Sequence, residues 1–324
     1  LIKIEHLGIS FDSRTKKKEK VKILQDINLS IEEGEVIALV GESGCGKTTL
    51  GKTIVGLYPP SEGTIYYRGK DITKLNKKEY MDYRLGVQMV HQDSFAALNP
   101  NRTIFQSLSM PLMQNHIAKN KKEAEDILKE YFTEVGLTPP EQFLYKYPHQ
   151  LSGGQRQRIL LARALSVKPR VIVADEPVSM VDVSLRIALI DLMTRMNQKY
   201  KISFVYITHD LATARYVAKD GRLAVMYLGR IVELNNIREA IDNPKHPYFK
   251  ALIAAVPSDI GRGRSEMKDL PLRSLDMPSV NNPPSGCSFH TRCPYYKDRC
   301  EKEIPKLREF EGGMIACHFA EEIP

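Results

Sequence analysis

Residues 35–57 read EVIALVGESGCGKTTLGKTIVGL, and this stretch decides the fold. EVIALV is a short, nearly continuous apolar run, the mark of a buried strand. It runs directly into a loop in which Gly41, Gly46, Lys47 and Thr48 fit G-x-x-x-x-G-K-[ST], and from there into a helical segment. Such a loop turns successive backbone N–H groups inward as an anion nest, and the helix N-terminus adds its positive end. The expectation is a nucleoside triphosphate site made by Gly41, Ser43, Gly44, Cys45, Gly46, Lys47, Thr48 and Thr49. Lys47 reaches the β- and γ-phosphates, and the Thr48 hydroxyl ligates Mg²⁺. Cys45 sits inside the loop, where any small side chain serves.

On the N-terminal side, LIKIEHLGI (1–9) and VKILQDINLSI (21–31) alternate apolar and polar residues, as half-buried antiparallel strands do. On the C-terminal side, GTIYYRGKDI (63–72) and RLGVQMVHQD (84–93) bring further strands. The pattern is helical from about 104 to 167. Strand–helix alternation resumes with RVIVADEP (170–177), a helix over 184–199 and ISFVYITHD (202–210), followed by short strands at RLAVMYL (222–228) and RIVEL (230–234). The fold class is therefore α/β, a mixed sheet with helices on both sides, carrying an antiparallel β subdomain and an inserted helical subdomain at about 92–167. Residues 1–256 are expected to form this nucleotide-binding domain. A Pro- and Gly-rich linker follows over 257–286, and a small cysteine-rich module over 287–324.

Two further stretches carry chemistry. VIVADEP ends a buried strand on Asp175 and Glu176. Beside a phosphate loop, Asp175 is placed to hold Mg²⁺ through water, and Glu176 to polarise an attacking water as general base. LSGGQRQR (151–158) begins with Ser152 and Gln155 spaced as a capping box, with Gly153 and Gly154 exposing N–H groups at a helix start. That makes a second anion site far from the first in sequence. Two such sites in one chain suggest two chains sharing each nucleotide.

With these motifs the sequence resembles the ATP-binding cassette (ABC) ATPases, specifically those of oligopeptide and dipeptide importers. The resemblance implies a P-loop NTPase core, binding of ATP and Mg²⁺, and closure of Ser152–Gln155 of one subunit over the γ-phosphate held by its neighbour. By the same resemblance Gln92 in MVHQD matches the glutamine that senses Mg²⁺ and the attacking water, His209 in YITHD the histidine that steadies the γ-phosphate, and Phe11 the aromatic that stacks on adenine. SMVD, Ser179 to Asp182, occupies a position where the family more often has SALD. The implied partners are a second ATPase subunit (a paralogue or a copy of this chain), two transmembrane permease subunits and, indirectly, an extracellular peptide-binding protein. The implied location is peripheral, on the cytoplasmic face of the membrane.

The tail gathers four of the chain's five cysteines. Cys287, Cys293, Cys300 and Cys317 are spaced C-x5-C-x6-C-x16-C. A reducing location argues against disulfides, and four thiolates in a short module suit a tetrahedral sulfur site or an iron–sulfur cluster. Zinc prefers tighter spacing and is the second choice, with unligated thiols the third; His290 and His318 are near enough to compete as ligands. The resembled subfamily implies a [4Fe–4S] cluster.

The chain has 324 residues, 42% of them hydrophobic, and a net charge of +8. No apolar run reaches the roughly 18 residues of a membrane span. The opening LIKIEHLGIS lacks an export signal and an initiator Met. Positive charge is compatible with nucleic acid, so a soluble ABC ATPase acting on nucleic acid or ribosomes is the alternative. A third reading is a nucleotide-binding regulator without turnover. The densest run, RTKKKEK (14–20), reads as an exposed hairpin loop, and no nucleic-acid partner is expected.

Overall fold

The computed structural model describes residues 1–12, 20–255, 272–280 and 282–323. The charged run expected as a hairpin loop lies, apart from Lys20, outside the described residues, and so does 257–271 of the expected linker.

β1 (Ile2–Asp12) and β2 (Lys20–Ile31) pair antiparallel, with Ile2 opposite Ile31 and Ile4 opposite Leu29. β3 (Val36–Val40) is the strand before the phosphate loop, and α1 (Lys47–Ile54) the helix after it. β4 (Glu62–Tyr67) and β5 (Lys70–Asp71) complete a four-stranded antiparallel sheet in the order β2-β1-β4-β5. α2 (Lys77–Gly86) starts at a capping box between Asn76 and Glu79 and runs into β6 (Val87–Val90). The first residues of RLGVQMVHQD are thus helical rather than extended. Buried Tyr83 explains the difference: it anchors the helix by donating its hydroxyl to the carbonyl of Ile54 at 2.6 Å.

Four helices follow: α3 (Ile104–Gln114), α4 (Lys121–Glu134), α5 (Glu141–Leu144) and α6 (Gly153–Ser166). In α4 the residues Ala124, Leu128, Tyr131 and Phe132 are buried, the three-and-four spacing of one helix face. Next in the chain are β7 (Val171–Asp175), α7 (Val183–Tyr200), β8 (Ser203–Ile207), α8 (Leu211–Val217), β9 (Arg222–Tyr227) and β10 (Arg230–Asn236). After α9 (Ile237–Asp242) and α10 (Pro247–Ala254) the tail adds α11 (Asp298–Lys302), β11 (Arg308–Phe310) and β12 (Gly313–Ile315).

Among the described residues the main sheet has eight strands in the order β11-β12-β10-β9-β3-β8-β7-β6. Its centre, β9-β3-β8-β7-β6, is parallel, and β10, β12 and β11 join antiparallel. Alternation along each strand sends neighbouring residues to opposite layers. Ile37, Leu39, Val171 and Val173 pack with α1 and the small sheet. On the opposite face, Ile172, Ala174, Phe204 and Tyr206 pack with the helical layer, and Ala38 and Val40 with Tyr248, Phe249 and Phe289. Burial on both faces is why these central strands read as continuous apolar runs.

Two consequences of the topology matter for function. β6, β7, β8 and β3 are adjacent and parallel, so their carboxyl ends open on one side, where ligands bind in open α/β sheets. The tail is built onto this sheet as well: Glu233 and Leu234 of β10 pair with Ile315 and Met314 of β12, and Phe289 and Cys293 belong to the core beside β9 and β10.

Candidate functional site

β3 delivers the phosphate loop. Gly41 has φ +153°, and a Cβ there would run into the carbonyl oxygen of Met226. Gly46 caps α1 with φ +106°, against the side chain of Leu24. Neither position accommodates a side chain, which is the physical basis of the glycines in the motif. Lys47 is buried, its ammonium donating to the carbonyls of Gly41 at 2.7 Å and Glu42 at 3.0 Å. Cys45 is also buried, and burial raises its thiol, leaving a small neutral filler.

β7 delivers the two carboxylates with different surroundings. Asp175 is 3% exposed and accepts a hydrogen bond from the Thr48 hydroxyl at 3.1 Å. Burial raises its carboxyl, and the Thr48 bond opposes that rise. Glu176 lies one residue further on, with φ +43° and its N–H donating to Ile207 of β8 at 2.9 Å. Gln92, just past β6, donates its side-chain amide to one Glu176 oxygen at 3.0 Å. His209, just past β8, meets the other oxygen through Nδ1 at 3.1 Å.

A cleft of about 580 Å³ opens over these groups. Ser43, Gly44, Gly46, Lys47, Thr48, Thr49, Gln92, Glu176, His209 and Phe11 all line it. Phe11 comes from β1, packs edge-on against Tyr58 at 5.1 Å between ring centroids, and is 39% exposed. Among the expected nucleotide residues, Gly41 and Cys45 support the loop from behind without lining the cleft. Asp175 reaches it through Thr48. Of the three expected Mg²⁺ ligands, Thr48 and Asp175 touch, while the Gln92 amide is turned to Glu176.

Ser152–Gln155 lie apart from this cleft, at the start of α6. The capping box is formed: the Ser152 hydroxyl accepts from the Gln155 N–H at 3.2 Å, and the Gln155 side chain accepts from the Ser152 N–H at 3.0 Å. Gly153 packs so closely on the carbonyl of Met180 that a Cβ there would lie 2.8 Å from it. Ser179 donates its hydroxyl to the Glu176 carbonyl at 2.9 Å. Within one chain, then, the second anion site touches the segment after Glu176 and leaves the phosphate loop uncovered.

Sequence reasoning missed two residues here. Ile23 of β2 lines the cleft; nothing in an alternating strand distinguishes it. Gln157 is buried in α6 and donates to the carbonyls of Gln92 at 3.1 Å and His91 at 3.4 Å. Its position in a polar GGQRQR run gave no sign of burial.

In the tail, Cys287, Cys293, Cys300 and Cys317 line one small cavity of about 20 Å³ together with His290 and His318. Burial pushes the thiols of Cys287 and Cys293 up to about 12 and raises that of Cys317. His290 is engaged with the Cys287 carbonyl and His318 with the Glu303 carbonyl. The donor set has the softness of a sulfur-ligated centre. Among the described residues, no three His, Cys, Asp or Glu side chains converge closely enough to hold a single metal ion.

Residues 24–179 match the sequence family described as ABC transporter, and residues 232–300 the one described as oligopeptide/dipeptide transporter, C-terminal region. The chain is 41% identical over 305 residues to the oligopeptide transport ATP-binding protein AppF of Bacillus subtilis, covering 94% of this chain and 91% of that protein. It is 38% identical to the di/tripeptide transport ATP-binding protein DppF of Pseudomonas aeruginosa, covering 94% and 91%. With the oligopeptide transport ATP-binding protein OppF of Salmonella typhimurium it shares 37% identity, covering 98% and 95%. Among solved structures, a dimeric bacterial ABC transporter cassette superposes with a TM-score of 0.65 at 29% identity, covering 74% of this chain and 99% of that one.

Proposed function

This chain belongs to the ABC transporter ATPases of the oligopeptide and dipeptide type, and from that premise we propose that it hydrolyses ATP to power peptide import through a membrane transporter. The observation that carries the reading is the Glu176 carboxylate, held between Gln92 and His209 on the rim of the phosphate-loop cleft.

In this mechanism the loop amides and Lys47 hold the triphosphate of the substrate, and Phe11 offers a face to its base. Thr48 and Asp175, with Gln92, would hold Mg²⁺, which supplies charge neutralisation at the phosphates. Glu176 takes the proton of the attacking water onto a carboxylate oxygen. Gln92 and His209 fix where that carboxylate points, so the base is oriented before water arrives. Because Ser152–Gln155 stand away from the chain's own cleft, they are assigned to the nucleotide of a partner cassette, which is a paralogue or a second copy. ATP-driven closure of the two cassettes and its release on hydrolysis would then move two permease subunits. A peptide-binding protein outside would supply cargo. No helix among the described residues is long and apolar enough to cross a membrane, in keeping with a peripheral subunit on the cytoplasmic face.

For the tail we assign a [4Fe–4S] cluster to Cys287, Cys293, Cys300 and Cys317, with zinc as the competing occupant. What supports this is four thiols on one cavity. Such a centre supplies covalent ties across a module that contains little regular structure.

The test of the catalytic reading is Glu176→Gln. The expected outcome is a loss of steady-state ATP turnover of about 10²–10⁴-fold with Mg·ATP binding retained. Turnover unchanged by the substitution would overturn the assignment of Glu176, and a parent chain that binds nucleotide without turnover would favour a nucleotide-binding regulator.

A further inference from the structure

The phosphate loop is gripped from the cysteine-rich tail. Glu42, the second residue of the loop, receives both terminal nitrogens of Arg292: Nη1 to Oε2 at 2.8 Å and Nη2 to Oε1 at 3.1 Å. The Glu42 N–H donates to the Tyr248 hydroxyl at 2.8 Å. Its carbonyl accepts from Lys47 at 3.0 Å. One residue therefore joins the tail, α10 and the phosphate-binding lysine.

The grip is a built one. The Arg292 side chain is 7% exposed and that of Glu42 25%. Arg292 also lies against Tyr227 and Phe289, which with Tyr248 form an aromatic cluster with centroids 4.6–5.5 Å apart. Arg292 immediately precedes Cys293 and Phe289 follows Cys287 by two residues, so both contacts issue from the cysteine module itself.

Charge gives the contact its function. A carboxylate on a loop that binds a polyanion opposes that binding, because like charges repel. A bidentate guanidinium cancels the charge and fixes the side chain, which a lysine would do less well. We propose that Arg292 is a charge-compensating and positioning residue for the phosphate loop, by which the cysteine-rich tail sets the affinity of the cassette for nucleotide. The proposal rests on the reading of this cleft as the nucleotide site.

The experiment is equilibrium titration of the full chain with Mg·ADP, accompanied by thermal melts. Arg292→Met exposes the Glu42 charge and is expected to weaken binding about 10-fold. Adding Glu42→Gln to it removes that charge and is expected to restore affinity to within about threefold of the parent. Glu42→Gln alone keeps an acceptor for Arg292 while leaving its positive charge uncompensated, and is expected to tighten binding by about threefold. This last variant decides the matter even if Arg292→Met fails to fold. A merely structural contact predicts weakening or no change in all three, and either result would overturn the proposal. A parent chain that binds no Mg·ADP would instead overturn the nucleotide-site reading, and this inference with it.

Discussion

Two residues illustrate how much of the site depends on single side chains. Glu176 occupies the left-handed region at φ +43°, a conformation that costs a non-glycine residue of order 1 kcal/mol and persists where its surroundings impose it. The hydrogen bond from its N–H to Ile207 and the two side-chain partners at its carboxylate impose it here. Gln157 lies one step back and ties α6 to the backbone of His91 and Gln92. Gln157→Ala would remove this donor from both carbonyls. We expect a loss of stability of about 1–3 kcal/mol by denaturant titration, with a fall in kcat that exceeds any change in KM for ATP. The motif residues were legible because each type has one chemical use at its spacing. Gln157 was not, since its value lies in which backbone it meets after folding.

At the scale of elements, β10 is where cassette and tail join. Glu233 on this strand is buried, and it accepts hydrogen bonds from the backbone N–H groups of Lys245 and His246 at the entry to α10. Burial pushes its carboxyl up to about 7, with the His246 and Lys245 N–H groups opposing the rise. A carboxyl raised in the folded state binds its proton more tightly there than when unfolded. Its contribution to stability is therefore complete below the ordinary Glu range and is lost as pH rises to about 7. Glu233→Gln should remove this dependence: relative to the parent, the variant should gain stability between pH 4.5 and 7.5. Denaturant midpoints measured across that interval check the sign, and a constant difference between the two proteins would contradict it. Alternation and caps made most elements readable, including α4 and the capping box of α6. The boundary between α2 and β6 was not, because an apolar run of that length suits either element until Tyr83 finds the carbonyl of Ile54.

For the whole molecule the tail is the element with the most at stake. It contributes strands to the main sheet, side chains to the core beside β9 and β10, and the Arg292 contact to the phosphate loop. The cluster assignment predicts about four irons and four sulfides per chain after anaerobic purification, both lost in Cys293→Ser. Zinc without sulfide would replace the cluster by a zinc site. By itself the sequence determined the kind of chemistry and the class of fold. A phosphate loop between strand and helix, a carboxylate pair ending an apolar run, and a capped Gly-Gly helix start are local signals, each set by backbone sterics or by the needs of an anion within a few residues. Only the tertiary structure decided which segments meet. The order β3-β8-β7-β6 brings Gln92, Glu176 and His209 together, α6 turns Ser152–Gln155 away from the chain's own cleft, and the pairing of β12 with β10 draws the tail against the loop. Those outcomes depend on strand order and on burial shared by residues up to 250 positions apart, as between Glu42 and Arg292, and no local pattern encodes a contact at that separation.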